Sequence, residues 1–275
     1  MRAVHYAVLT VVSALFTAPL LFMVSVSLSS DATTLKGEFT LLPREWEFAN
    51  FVRAFTTELP MGTFLWNSVV LTSLAVVGQV FVSAMVAYAF ARLRAPGKNA
   101  WFVVLLSTLM LPAEITLIPQ FTMFSTLGWV DTLLPLIVPN FFGGAYNIFL
   151  MRQFIARIPR DLDEAAALDG LGHFRIFTRI VLPMMKPALI AVGIFTFSWN
   201  WGWFMGPLIY LNSMENMPLA LGVQVLYATG GAGQVPPWNL VMVGSLLLTA
   251  PMIVVYFFGQ KYMHELSVTV GSDQK

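Results

Sequence analysis

The sequence has no cysteine, only three histidines and few charges: Asp, Glu, Lys and Arg make up 11% of its 275 residues. Without cysteine there is no disulfide framework, no thiolate nucleophile and no cysteine-based metal site. His5, His173 and His264 lie far apart and lack a ligand spacing such as HExxH, so they read as surface residues. A net charge of +1 provides no electrostatic footprint for nucleic acid. A GxxxxGK(S/T) phosphate loop is also missing. The single Gly-Lys pair, Gly97-Lys98, is followed by asparagine and has no upstream glycine, so any ATP hydrolysis falls to another chain. Short-period repeats and low-complexity tracts are absent.

What is abundant is apolar. Hydrophobic residues make up 57% of the chain, and the mean hydropathy is +0.75. A water-soluble domain cannot hide that much apolar surface, so the bilayer is the expected solvent. A membrane helix needs roughly 20 apolar residues. Six windows meet or approach this: Tyr6–Leu28, Phe64–Phe90, Trp101–Ile118, Leu133–Leu150, Ala188–Leu211 and Leu240–Phe258. The third and fourth are short and interrupted by proline. The first exceeds the h-region of a secretory signal, about 7–15 residues, and no small-x-small site follows it, which predicts a retained span.

Lys and Arg in the connecting segments set the orientation. With the N-terminus cytoplasmic, the inner segments hold twelve of them and the outer segments only Lys36, Arg44 and Arg53. Both termini are therefore expected in the cytoplasm. The linear organisation expected is a first span and outer segment over 1–63, a transport core over 64–262 with a long inner loop at 151–187, and a cytoplasmic tail over 263–275. Among the outer connections, "LPREWEFANFVRAF" (Leu42–Phe55) and "FTMFSTLGWVDTL" (Phe121–Leu133) mix polar and aromatic residues, and "GGAGQVPPW" (Gly230–Trp238) reads as a flexible loop.

The inner loop carries the most compact polar segment, "DLDEAAALDG" (Asp161–Gly170). Asp161 and Glu164, three apart, predict a capping box, and the acids suit the positive end of a helix. Ala165, Ala166, Ala167 and Leu168 favour helix, and Gly170 stands where a left-handed cap residue belongs. A second run, "HFRIFTRIVLP", spaces Phe174, Phe177, Ile180 and Val181 on one helical face. Pro183 is expected to end it, and Pro187 to open the fifth span. Two short helices with small side chains on the first make a rigid projection that another protein's backbone could approach closely. On local physics alone the segment fits equally an ordinary, well-capped loop.

"EAAALDG", nine residues, then "IVLP" resembles the EAA loop of permease subunits of ATP-binding-cassette importers. Glu164, Ala165, Ala166, Asp169, Gly170, Ile180, Leu182 and Pro183 fall on that pattern. "AYAFARLRAPGKN", "MLPAEITLIPQF", "LPMMKPAL" and "FMGPLIYLNS" resemble the carbohydrate-uptake branch, the maltose- and glycerol-phosphate-type permeases. The likeness runs from about Asn67 to Tyr262. It implies an all-α membrane protein with six transmembrane helices in the type I importer permease fold. It further implies that the inner loop, through Glu164, Ala165, Ala166, Asp169 and Gly170, docks on a separate ATPase dimer. ATP and Mg would be bound there and no cofactor by this chain. A second, homologous permease subunit, an extracytoplasmic substrate-binding protein and membrane lipid are the other implied partners. The chain departs from the family at Trp201, Gly202 and Trp203, where many relatives carry "WND", and in its ending, "ELSVTVGSDQK".

Polar residues inside spans are candidates for a solute path. Asn140, Tyr146 and Asn147 in the fourth span, and Asn200, Trp201 and Trp203 in the fifth, combine amides with aromatic faces, which suit a sugar. Ser198, Trp199, Gly143 and Gly144 lie among them. Each taken singly also fits helix packing or an aromatic belt. Glu114, 13 residues beyond Trp101, would lie roughly 20 Å along the third span, beside Pro112. It is either a functional acid or an interface residue at a fraying helix end. An ion- or proton-coupled transporter is the alternative function, but it would need further acids within the spans. A membrane-embedded enzyme would need a cluster of catalytic side chains that the sequence does not supply.

Overall fold

The computed structural model describes residues 2–37, 42–43, 45–56, 59–229 and 235–271. Among the described residues every regular element is a helix. In chain order these are α1 (Arg2–Ser27), α2 (Asp31–Leu35), α3 (Ala49–Thr56), α4 (Met61–Arg92), α5 (Lys98–Ser107), α6 (Ala113–Thr126), α7 (Leu134–Ile137), α8 (Ala145–Arg157), α9 (Asp161–Leu168), α10 (His173–Ile176), α11 (Leu182–Met184), α12 (Lys186–Trp201), α13 (Met205–Tyr210), α14 (Leu219–Ala228) and α15 (Trp238–Gly271). Short 3-10 turns follow α5 and α7, a third covers Met214–Asn216, and a π-turn, Phe177–Val181, joins α10 to α11. Residues 230–234 of the expected outer loop lie outside the described residues.

Four helical stretches are long and apolar enough to cross a membrane: Val4–Ser27, Met61–Arg92, Leu134–Arg157 and Trp238–Met263. Two bent pairs raise the number to six if each is a single span: Lys98–Met110 with Glu114–Thr126, and His173–Met184 with Lys186–Trp201. The windows expected from sequence are thus present, with corrected shapes. The third does not run straight through Glu114. Leu111, the residue before Pro112, is extended (φ −85°, ψ 117°), as sterics before proline require, and a new helix starts after it. Glu114 accordingly sits, exposed, in the first turn of α6, where the helix dipole favours an acid. The fifth window is split: α12 stops at Trp201, Gly202 follows as its cap, and the chain resumes as α13. The last helix continues to Gly271, well beyond the expected apolar window.

The chain folds into two compact units that cut across the linear segments set out above. One comprises Met1–Ser68 with Asn212–Pro251, the other Val69–Leu211 with Met252–Lys275. In the first unit a buried amide network fixes where α1 ends and α2, α3 and α15 begin. Asn50 Nδ2 donates to the carbonyls of Ser27 (3.0 Å) and Ser29 (2.9 Å). Asn239 Nδ2 donates to Asp31 Oδ1 (2.6 Å), and Arg53 Nη2 to Asp31 Oδ2 (2.9 Å). The Arg53 guanidinium holds the Asp31 carboxyl below its ordinary value; burial opposes this and the Asn239 bond assists it. In the same unit Asn67 Nδ2 donates to the Glu215 and Met217 carbonyls, and Ser68 Oγ accepts from the Leu219 N–H (2.8 Å), which satisfies the start of α14. The apolar window of α1, by contrast, has no buried residue within the chain.

The second unit carries the largest apolar core. Ala84, Ala87, Tyr88 and Ala91 of α4 pack with Met151 and Ile155 of α8, Phe177 and Val181 of the π-turn, and Ala188, Ala191 and Val192 of α12. The alanines let the helices approach closely, and the larger side chains fill the space between them.

Candidate functional site

The loop between α8 and α12 folds as α9, a turn, and a helical run through α10, the π-turn and α11. The capping box expected at its start is not formed. Arg160 already has right-handed helical dihedrals (φ −71°, ψ −23°), so it is the cap residue and Asp161 the first residue of α9. The Arg160 carbonyl accepts from the Asp163 and Glu164 N–H groups, and no side chain caps the end. Asp161, Asp163 and Glu164 therefore act through their charge in the first turn. At the other end the expectation holds. Gly170 has φ +80°, its N–H donates to the Ala167 carbonyl (3.0 Å), and the Leu171 N–H donates to the Ala166 carbonyl (3.0 Å). That pair of bonds is the Schellman motif, which closes a helix through a left-handed glycine.

The loop is fastened to the spans at two levels. Ala166, at 6% exposure, is buried with Ile158, Ile176, Phe177 and Val181 in the core of the second unit. Arg92, the last residue of α4, places Nε 2.7 Å from Asp163 Oδ2 and donates from Nη2 to the Ile158 carbonyl (2.6 Å). The Arg92 and Asp163 side chains are only 5% and 16% exposed. Arg160 reaches back to the Ala91 carbonyl (3.4 Å).

What faces outward differs from the alanine surface expected. Glu164, Ala165, Ala167, Asp169 and Gly170 are exposed, but Ala166 is turned inward. The apolar groups left in the open are Leu162 (40%), Leu168 (90%) and Phe174 (65%). Phe174 thus does not share the buried face expected of it; Ile176, Phe177 and Val181 form that face. Pro183 does not end the run either. It lies at the second position of α11, which continues directly from the π-turn, and Pro187 opens α12 as expected.

A cavity of about 810 Å³ lies in the second unit, walled by α4, the turn before α8, α8 itself and α12. It brings together Asn140, Tyr146, Asn147 and Asn200 of the candidate path residues, joined by Gln79, Thr196, Ser198 and Trp199. Trp201 and Trp203 are not among its walls. Trp201 is buried and stacks on Phe197 with centroids 5.4 Å apart. Trp203 lies over Gly206, whose missing Cβ makes room for the indole, and packs near Phe124 and Tyr210.

The cavity wall is set by a break in the helix. Gly143 takes φ +75°, a conformation that favours glycine, and separates the 3-10 turn Val138–Phe142 from α8. Two α4 side chains hold the break. The Gly144 N–H donates to Ser83 Oγ (3.3 Å). With its amide oriented to satisfy both ends, Gln79 accepts from the Gly144 N–H and Asn147 Nδ2 (each 3.0 Å) and donates to the Asn140 carbonyl (3.1 Å). Gln79 and Thr196 were not singled out from sequence. A glutamine and a threonine in apolar helices are common, and only their convergence on the Gly143–Gly144 break and the cavity distinguishes them.

Comparison with known proteins fits this architecture. A family model described as "Binding-protein-dependent transport system inner membrane component" matches residues 79–265. A putative ABC transporter permease protein of Caldicellulosiruptor is 32% identical over 93% of this chain and 91% of its own length. An arabinooligosaccharides transport system permease protein of Halalkalibacterium halodurans is 30% identical, covering 92% and 89%. An sn-glycerol-3-phosphate transport system permease protein of Yersinia pestis is 31% identical, covering 84% and 83%. Among solved structures, a bacterial ABC transporter that imports the acidic polysaccharide alginate shares the fold, with a TM-score of 0.82 over 95% of both chains at 24% identity. The family match over most of the chain, together with these relatives and the apolar helices described above, makes this protein a member of the inner-membrane permease components of binding-protein-dependent ABC importers.

Proposed function

We propose that the chain is one permease subunit of an ATP-driven importer that moves a sugar or related solute into the cell. Both termini lie in the cytoplasm, as the distribution of Lys and Arg favours. A second, homologous permease completes the pathway, and an extracytoplasmic binding protein delivers the solute. ATP and Mg are bound by a partner ATPase dimer, not by this chain. The relatives that carry arabino-oligosaccharides and sn-glycerol 3-phosphate support a small polyhydroxy solute.

The α9–α10 element is the surface that meets the ATPase. One observation carries this: a short loop bearing Leu168 at 90% exposure and Phe174 at 65% is at the same time rigidly tied to α4 by Arg92. Apolar groups held out on a stiff mount suit a partner's cleft. The Glu164, Ala165, Asp169 and Gly170 surface flanks them, and Ala166 positions the helix from inside. Closure of the ATPase pair would push this mount and rock α4 and α12, switching access to the cavity that contains Asn140, Asn147 and Asn200.

Single cysteines test the orientation, since the chain has none of its own. Ala32→Cys is expected to react with an impermeant thiol reagent from outside intact cells, and Leu168→Cys only after the membrane is opened. The reverse pattern would overturn the assignment.

A further inference from the structure

We infer that Arg152 of α8 binds the phosphate of an anionic phospholipid; placing that lipid in the inner leaflet rests on the orientation proposed above. Arg152 stands within a membrane-crossing stretch, Leu134–Arg157, five residues before its end. That is about 7.5 Å along the helix, within reach of the headgroups for an arginine side chain. Its guanidinium carbon lies over the Phe102 ring of α5, 4.2 Å from the centroid. Phe102 is braced in turn by Phe90 of α4 and Phe149 of α8, with centroids 5.3 and 6.4 Å away. The ring face attracts the cation and restricts how the guanidinium can turn. It supplies no counter-charge. Among the described residues Arg152 has neither an ion pair nor a hydrogen bond, and its Nε is buried without an acceptor. The Nη groups are not closed off in this way, so they open to the surface. Asp163, an acid of the adjoining loop, is already taken by Arg92.

A cation inside a span needs compensation, and what borders Arg152 suits a lipid. No residue of α5 is buried, and Trp101 (67%), Val103 (64%) and Val104 (53%) are exposed beside Phe102. An exposed tryptophan at a helix end is typical of headgroup depth. Lys98, one turn before Phe102 on the same face of α5, donates to the Leu93 carbonyl (2.8 Å) and keeps two further N–H groups. An ammonium and a guanidinium thus flank one ring, next to an exposed apolar helix. Arginine binds phosphate through paired N–H groups, and basic pockets between spans on the cytoplasmic side hold anionic headgroups. A free phosphate could use the two cations but not the apolar side of α5, which suits acyl chains.

The test titrates the purified complex with phosphatidylglycerol, or with phosphatidylcholine of the same acyl chains, and counts bound lipids by native mass spectrometry. Arg152→Met is expected to weaken the tightest phosphatidylglycerol site several-fold and to leave phosphatidylcholine binding unchanged. Lys36→Met, which removes an exposed cation of the first unit, should change neither. Equal phosphatidylglycerol binding by wild type and Arg152→Met, an equal loss of both lipids, or displacement by excess inorganic phosphate would overturn the inference. A second measurement keeps Arg152 in place and so does not depend on the folding of that variant. Val103→Cys, labelled with a benzophenone maleimide, is irradiated in nanodiscs where phosphatidylglycerol is the minor lipid. Its adducts should contain phosphatidylglycerol several-fold above its mole fraction. Adducts that follow the mole fraction, or a crosslink to a partner subunit in place of lipid, would overturn the inference. An inverted orientation would look different: it would reverse the cysteine labelling pattern described above and leave these lipid counts unchanged.

Discussion

Arg92 and Asp163, 71 positions apart, meet at 2.7 Å, with the arginine side chain 5% exposed and the aspartate 16%. The end of a membrane-crossing helix and the first turn of the loop helix are thereby one mechanical piece. Removing one partner of a buried ion pair typically costs about 3–5 kcal/mol, because the other charge is left without compensation. Arg92 also holds the Ile158 carbonyl, so Arg92→Met should destabilise the complex more than Asp163→Asn. Thermal unfolding of the purified complex measures the order, and equal stability of both variants with wild type would show that the pair carries no load.

Neighbouring alanines of the loop helix should behave in opposite ways. Ala166 is 6% exposed and packed against the core, whereas Ala167 is exposed. Ala166→Trp should destabilise the fold by overpacking, at about 1–3 kcal/mol or more. Ala167→Trp should leave folding intact. Gly170→Val, with nothing within 4 Å but φ +80°, should cost about 1–2 kcal/mol through backbone strain alone. Expression levels and melting of the three variants in detergent give the comparison.

Much of this architecture can be read in the residues before any coordinates. Apolar run length reveals the spans, and Gly170 after an alanine run reveals the helix end, because both depend on nearest neighbours. The motif "EAAALDG" then "IVLP" points to the family for the same reason. What is not local is harder to see. Nothing near Ala166 says that it, rather than Ala167, faces inward; that depends on the π-turn and on α4. The capping box at Asp161 fails because the helix begins one residue earlier, with Arg160 as the cap residue, while the neighbouring Asp163 pairs with Arg92 far along the chain. In the cavity, Asn140, Asn147 and Asn200 are legible as polar residues in spans. Trp201 and Trp203 look equivalent to them but are claimed by Phe197 and Gly206 for packing.

Gln79 should be needed for the Gly143–Gly144 break. Gln79→Leu strands the Asn147 amide and takes one of two acceptors from the Gly144 N–H, an expected loss of about 1–3 kcal/mol. Gly144→Ala would drive a Cβ into the Gln79 amide. Both are expected to lower uptake while the ATPase still assembles on the permease. Wild-type uptake by both would show that the break is not required for transport.

The amide network around Asn50 and Asn239 should register acid through Asp31. Its carboxyl titrates below the ordinary value of 3.8, chiefly because of the Arg53 hydrogen bond. A depressed folded value means the contribution is complete above the ordinary carboxylate range and is lost as pH falls through the folded value. Wild type should therefore lose melting temperature more steeply than Asp31→Asn below about pH 4. Parallel curves for the two proteins would remove Asp31 from the stability of this region.

The most direct measurement of the coupling proposal is a photo-crosslink from Leu168. The variant Leu168→Cys, in the otherwise cysteine-free chain, is labelled with a benzophenone maleimide and irradiated in the reconstituted complex. The expected product joins this chain to the ATPase subunit, and its yield changes when ATP and solute-loaded binding protein are added. A crosslink to lipid or to the binding protein alone, with none to the ATPase in any nucleotide state, would contradict the account.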